Sequence, residues 1–208
     1  GSSQRNLDTG HYTNSIFGCG IFIKVLESLY GPGREVTKAP PPPVRDTTLN
    51  RLLLTLATLG PLGTCCPAPG TFGSLAGALA FLALLEWSHI PANLILCGFM
   101  LLALLAIPIC SVAEGILSKR DPGEVIIDEF VAVPLVFWGC WDVLNEGTLE
   151  KLTLTGVGFI LFRIFDIWKP LGIDRLQNLP KGLGVVVDDI GAACVAGLCL
   201  WILAISFA

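Results

Sequence analysis

The 208-residue chain is 53% hydrophobic and only 14% charged, where soluble domains carry about 25% charged residues. Its mean hydropathy is +0.71, which points away from a soluble fold and towards a membrane protein. A net charge of −4, with no long Lys/Arg run, leaves no basis for nucleic-acid binding.

The opening "GSSQRNL" resembles an expression-tag remnant and is set aside. Residues 15–30 space Phe17, Ile21, Val25 and Leu29 four apart, which predicts an amphipathic helix lying in the membrane interface. "APPPPV" at 39–44 is a stiff polyproline linker. Residues 1–46 therefore read as an appendage, and 47–208 as a membrane-embedded helical domain. Residues 47–60 predict a helix lying on the membrane rather than crossing it. Five apolar segments follow, at 73–90, 92–117, 124–141, 151–169 and 185–208. A span needs about 20 residues to cross a hydrocarbon core about 30 Å thick. The second and fifth meet that length, the first is marginal, and the other two reach only with their polar ends at the interface. None shows the alternation of a membrane barrel. The predicted fold class is all-α: an integral membrane bundle of about five transmembrane helices plus an interfacial N-terminal helix.

Charge orients this bundle. The connections near 45–72, 118–123 and 170–184 hold Arg45, Arg51, Lys119, Arg120, Arg175 and Lys181, while 87–92 and 142–150 hold no Lys or Arg. The positive-inside rule places the first set in the cytoplasm. Cys97, Cys110, Cys140, Cys194 and Cys199 lie inside apolar runs, and the eight cysteines include no C-x-x-C pair; they read as reduced, small hydrophobes. His11 and His89 sit far from any acidic cluster, which argues against a His-based zinc site.

Four stretches carry polar residues that the membrane does not explain. In "KRDPGEVIIDEF" (119–130), Asp121 and Pro122 suit a helix start, and Glu124 and Asp128, four apart, then share a face, with Glu129 beside them. In "FRIFDIWKP" (162–170), Arg163, Asp166 and Lys169 step by three along a helix otherwise made of Phe, Ile and Trp. Pairing of Asp166 with Arg163 or Lys169 at helical spacing is the structural alternative. In "PKGLGVVVDDIGAA" (180–193), Asp188 and Asp189 come a turn into the last apolar run. Helix capping accounts for some of these acids, but ionisable residues inside membrane segments are functional candidates by default. Five carboxylates, Asp128, Glu129, Asp166, Asp188 and Asp189, converge on one membrane face and cannot all stay ionised unbalanced. A histidine-free oxygen cluster suits Mg²⁺, and Arg163, Lys169 and Lys181 then suit a phosphoryl group. In "PAPGTFGSLAGA" (67–78), Thr71 or Ser74 can cap a helix whose N-terminus holds an anion.

These stretches resemble the phosphatidylglycerophosphatase A family: "PAPGTFGSLAG", "DPGEVIIDEF", "FRIFDIWKPLGIDRL" and "KGLGVVVDDIGA" stand in order from about residue 58 to the C-terminus. The resemblance implies an all-helical, Mg²⁺-dependent enzyme of the bacterial inner membrane. Its substrate is a phospholipid, phosphatidylglycerophosphate, and its products are phosphatidylglycerol and inorganic phosphate. The family's acidic positions are matched by Asp121, Glu124, Asp128, Glu129, Asp166, Asp188 and Asp189. "KPLGI" departs from the family's usual aromatic after Lys-Pro, so Leu171 and Gly172 bear on lipid contacts rather than chemistry. Expected metal ligands are Glu124, Asp128, Glu129, Asp166, Asp188 and Asp189. Expected phosphate contacts are Arg163, Lys181, Thr71 and Ser74, and the expected catalytic groups are Asp166, Asp189 and Lys169. A water activated by the ion attacks phosphorus, with Asp166 as a covalent nucleophile the rival chemistry. The competing function is an ion or proton transporter using the same carboxylates.

Overall fold

The computed structural model describes residues 47–140, 144, 147–170, 173, 176–177 and 179–207. The appendage 1–46, with its predicted interfacial helix and linker, lies outside the described residues, as do Leu171 and Gly172. Among the described residues the fold is all-helical: α1 (Thr48–Ala57), α2 (Leu62–Cys65), α3 (Pro69–Trp87), α4 (Ala92–Leu117), α5 (Ile127–Ala132), a 3-10 segment (Val133–Gly139), α6 (Thr148–Trp168) and α7 (Gly182–Phe207). The seven described cysteines are free thiols.

Residue chemistry sets most of the boundaries. Thr47 caps α1 by accepting from the Asn50 N–H at 3.2 Å. The same helix ends where Leu59 and Gly60 turn left-handed and the Gly60 N–H returns to the Thr55 carbonyl at 2.8 Å. Helix α3 begins at Pro69, four residues before the predicted segment, because proline loses nothing in the first turn. Helix α4 matches its predicted segment end to end.

Three helices among the described residues, α3, α4 and α7, are long and apolar enough to cross a membrane. Helix α6 has the length, with 21 residues, but Lys151, Arg163 and Asp166 interrupt its apolar run. The segment expected at 124–141 is not one helix. Six α-helical residues are followed by seven of 3-10 helix, together roughly 23 Å, short of a hydrocarbon core of about 30 Å. Pro134 causes the change, since it has no N–H to return to the Phe130 carbonyl. That carbonyl instead lies against α3 at Gly77, where a Cβ would come within 2.2 Å of it.

This broken segment forms the centre of the bundle, packed by α3, α4, α6 and α7. Residues Val131 to Phe137 are all buried, so a stretch apolar on every side is surrounded by protein rather than lipid. Phe137 stacks on Phe81 with centroids 5.0 Å apart, and Phe99 meets Phe81 edge-on at 6.3 Å. Outer faces stay apolar, with Leu101, Leu105, Ile160 and Ile202 more than half exposed, as a lipid-facing surface requires.

Candidate active site

Two elements deliver the acids. Asp128 and Glu129 are the second and third residues of α5, and Asp188 and Asp189 lie two turns into α7. Carboxylate oxygens of Asp128, Glu129 and Asp189 come within 4.8 Å of one another. Asp128 is 3% exposed and Asp189 4%. One oxygen on each of the three, Oδ1 of Asp128, Oε2 of Glu129 and Oδ2 of Asp189, is buried without a hydrogen-bond partner, as is Oδ1 of Asp188. Burying a carboxylate unpaired is costly, and three together repel. Outside the long apolar helices, burial pushes the Asp128 carboxyl up to about 6. Burial, and then the charge of Asp128, holds Glu129 well above the usual carboxylate range. Such an oxygen set fits a hard divalent cation, whose charge removes the repulsion and whose coordination uses the unpartnered oxygens.

Small residues on α3 bring these acids together. Gly70, Gly73 and Gly77 line the face against α5: a Cβ on Gly70 would lie 2.3 Å from Glu129 Oε1, and one on Gly73 would lie 2.8 Å from the Ile126 Cβ. The "PGTFGSLAG" stretch thus serves close packing on the acid-bearing helix. The Ile126 N–H bonds the Ala57 carbonyl at 2.9 Å, fixing the approach to α5 from the other side.

Basic groups stand beside the triad, each tied to a carboxylate. Arg163 Nη1 donates to Asp166 Oδ2 at 2.6 Å and to Ser74 Oγ at 3.2 Å. Ser74 Oγ in turn donates to the Gly70 carbonyl at 2.7 Å. Lys169, left-handed at the end of α6, bonds Asp188. Asp166 therefore pairs with Arg163, as helical spacing allowed, whereas Lys169 reaches across to α7.

Other sequence-predicted residues are placed differently. Glu124 lies outside the triad and faces Lys119 at 3.9 Å. The helix expected from Asp121 does not form: Asp121 is left-handed with φ 47°, and α5 starts only at Ile127. Glu124 and Asp128 consequently share no helical face. Ser74 is buried within α3 and holds Arg163, and Ala68 rather than Thr71 or Ser74 occupies the cap position of α3, with no side-chain bond. Thr71 and Lys181 are exposed at the rim. Two residues escaped the sequence reading. Glu114, 2% exposed in α4, accepts the Asp121 N–H at 3.0 Å; an acid inside a 26-residue apolar run was the available signal. Arg120 donates to two backbone carbonyls, those of Gln177 and Leu179, which no sequence pattern announces.

The family model described as Phosphatidylglycerophosphatase A matches residues 55–204, from the end of α1 to near the end of α7. The chain belongs to the phosphatidylglycerophosphatase A family. Two named relatives carry the same description. A Phosphatidylglycerophosphatase A of Haemophilus influenzae is 34% identical over 135 residues, 64% of this chain and 77% of the relative. One of Escherichia coli K12 is 31% identical over 129 residues, 62% of this chain and 69% of the relative. A protein of Bacteroides thetaiotaomicron, 33% identical over 59% of this chain and 75% of its own length, carries the provisional name phosphatidylinositol-3-phosphatase. No solved structure matches the chain. Every acidic and basic group of the site described above falls within the matched residues of this family.

Proposed function

We propose that the chain is a Mg²⁺-dependent phosphatase that hydrolyses phosphatidylglycerophosphate to phosphatidylglycerol and inorganic phosphate at the cytoplasmic face of a bacterial inner membrane. The observation that carries this reading is the buried Asp128–Glu129–Asp189 triad with unpartnered oxygens, flanked by Arg163 and Lys169. Family membership and the names of two relatives support the substrate.

Asp128, Glu129 and Asp189 would hold the cation, with Asp188 and Asp166 beside them. A bound Mg²⁺ supplies Lewis-acid polarisation of the phosphoryl group and a more acidic water. Arg163 and Lys169 meet the phosphoryl charge, and each is oriented before substrate arrives, Arg163 by Asp166 and Ser74, Lys169 by Asp188. A water oxygen bonds phosphorus, the bond from phosphorus to the glycerol oxygen breaks, and the proton given up by that water ends on the glycerol oxygen, which leaves as the alcohol. Lys181 and Thr71, exposed at the rim, line the approach of the headgroup.

Depth supports hydrolysis over transport. Asp188 and Asp189 are the seventh and eighth residues of α7, about 10 Å from its start. In a helix about 39 Å long crossing a bilayer about 40–45 Å thick with its headgroups, that puts the acids nearer headgroup level than the midplane where a carrier binds. Lys119, Arg120 and Lys181 flank the same end of the bundle, which supports a cytoplasmic site.

The test is phosphate release by the purified protein in lipid-containing micelles. Release from phosphatidylglycerophosphate with Mg²⁺, its loss with chelator and its loss in Asp189→Asn are the expected results; no release under these conditions overturns the reading. Phosphatidylinositol 3-phosphate as a second substrate addresses the Bacteroides relative's name. Acid-quenched single turnover on substrate radiolabelled in its terminal phosphate distinguishes the nucleophiles, because label retained on the protein and mapped to Asp166 would assign the attack to it.

A further inference from the structure

We propose that Arg120 is a positioning residue for the carboxylate centre: its guanidinium clamps the turn that launches α7 and so holds Asp188 and Asp189 against α5. The proposal rests on the reading of the triad as a metal centre. The triad joins two elements far apart in sequence, α5 and α7. Its geometry therefore depends on whatever fixes the start of α7 relative to the α4–α5 connection.

Arg120 belongs to that connection, seven residues before the start of α5. Its Nη2 donates to the Gln177 carbonyl and, at 3.1 Å, to the Leu179 carbonyl. A guanidinium holding two carbonyls is a charge-assisted contact, stronger than a neutral pair. Those same two carbonyls rest on the first turn of α7. A Cβ on Gly184 would come within 2.8 Å of the Gln177 oxygen and 2.9 Å of the Leu179 oxygen. Gly184 lies one helical turn before Asp188, so the contact is transmitted through a rigid element to the metal-facing acids.

Neighbouring bonds brace the clamp. Gln177 Nε2 donates to Asp121 Oδ2 at 3.2 Å, and the Asp121 N–H donates to buried Glu114 at 3.0 Å. Glu114 anchors the left-handed turn at Asp121, and through it Arg120, to the end of α4. The Gly182 N–H donates to Ser111 Oγ at 3.1 Å, so α7 is held to α4 independently of Arg120. Loss of Arg120 is therefore expected to shift the acids rather than unfold the bundle.

The experiment uses the full chain and reads Mn²⁺ binding by electron paramagnetic resonance, with no turnover needed. Arg120→Gln should weaken Mn²⁺ binding roughly 10-fold to 100-fold, the scale seen when residues supporting metal ligands are lost. It should lower kcat, leave KM for the lipid within about twofold, and Arg120→Lys should recover part of both losses. Gly184→Ala, which presses on the same carbonyls with Arg120 intact, should also weaken Mn²⁺ binding, and it tests the clamp if Arg120→Gln fails to fold. Wild-type Mn²⁺ affinity in a folded Arg120→Gln or in Gly184→Ala overturns the inference while leaving the metal centre standing. Failure of the wild-type protein to bind Mn²⁺, or unchanged binding in Asp189→Asn, overturns both.

Discussion

Two glycines on one face of α3 separate catalysis from folding. Gly70→Ala would put a Cβ 2.3 Å from Glu129 Oε1. Ordinary contact begins at 3.4 Å, so the carboxylate must retreat by about 1 Å. The obstructing atom is the far end of a flexible side chain, so the fold gives way easily and the melting temperature should stay nearly unchanged. The chemistry should not tolerate it: a 1 Å misplacement in an active site can cost about 100-fold in rate. Gly77→Ala is the opposite case. Its Cβ would meet the Phe130 carbonyl at 2.2 Å, and backbone in the centre of the bundle cannot step aside. Overpacking of that kind costs roughly 1–3 kcal/mol, read as a lower melting temperature in detergent. Phosphate release should be measured across a Mg²⁺ titration for both variants. Gly70→Ala should need more Mg²⁺ and reach a lower maximum rate with its melting temperature unchanged, whereas in Gly77→Ala any loss of activity should come with a lowered melting temperature. Wild-type activity and Mg²⁺ dependence in Gly70→Ala would refute the claim that Glu129 works from the position it occupies beside Arg163.

The other predictions concern charge. Asp189→Asn should abolish measurable phosphate release, yet in chelator it should melt no lower than wild type, since it removes one of three mutually repelling buried carboxylates; a large loss of metal-free stability would contradict this. Without metal, stability should fall as pH rises from about 4 to above 6, because burial raises Asp128 to about 6 and a raised carboxyl favours the folded state only while protonated. Added Mg²⁺ should flatten that decline and bind more tightly across the same pH interval, as melting curves with and without Mg²⁺ would record. Lys169→Met leaves Asp188, 2% exposed, without its partner and should cost about 3 kcal/mol. Adding Asp188→Asn should return most of that stability without returning activity, whereas a single variant as stable as wild type would deny the pair its structural role.

The helices most legible in the sequence are those that face lipid along most of their length. The run at 92–117 became α4 residue for residue, because Glu114 is the one charge in it and sits within a turn of its end. The run at 124–141 was misread for a physical reason: a segment apolar on all sides looks the same whether lipid or protein surrounds it. Only Pro134, by releasing the Phe130 carbonyl towards Gly77, distinguishes the two. The acids announced themselves, since a charge in an apolar run is visible without coordinates. Their partners did so only in part, Asp166 finding Arg163 at helical spacing. Lys169 bonds an aspartate 19 residues away, although Asp166 stands at helical spacing. The expected grouping of Glu124 with Asp128 depended on a helix beginning at Asp121–Pro122, a local signal that the capture of the Ile126 N–H by Ala57 overrides.

The burial of 124–141 at the centre of the bundle is what makes the site possible. On the outside of the bundle the same segment would face lipid, where unpartnered carboxylates find neither ligand nor water. Because α5 and its 3-10 extension stop short and are enclosed by α3, α4, α6 and α7, Asp128 and Glu129 sit inside protein yet at one end of the bundle. Enclosure strengthens every charge interaction there by excluding water. It also makes an empty centre costly, so a bound divalent cation would add to the folded state's stability. The glycine face of α3 is required for that enclosure, since only glycine lets α5 approach until its carbonyl and its glutamate touch the neighbouring backbone. The motif "PGTFGSLAG" and the motif "DEF" are therefore two sides of one contact: the first supplies the space into which the second brings its charge.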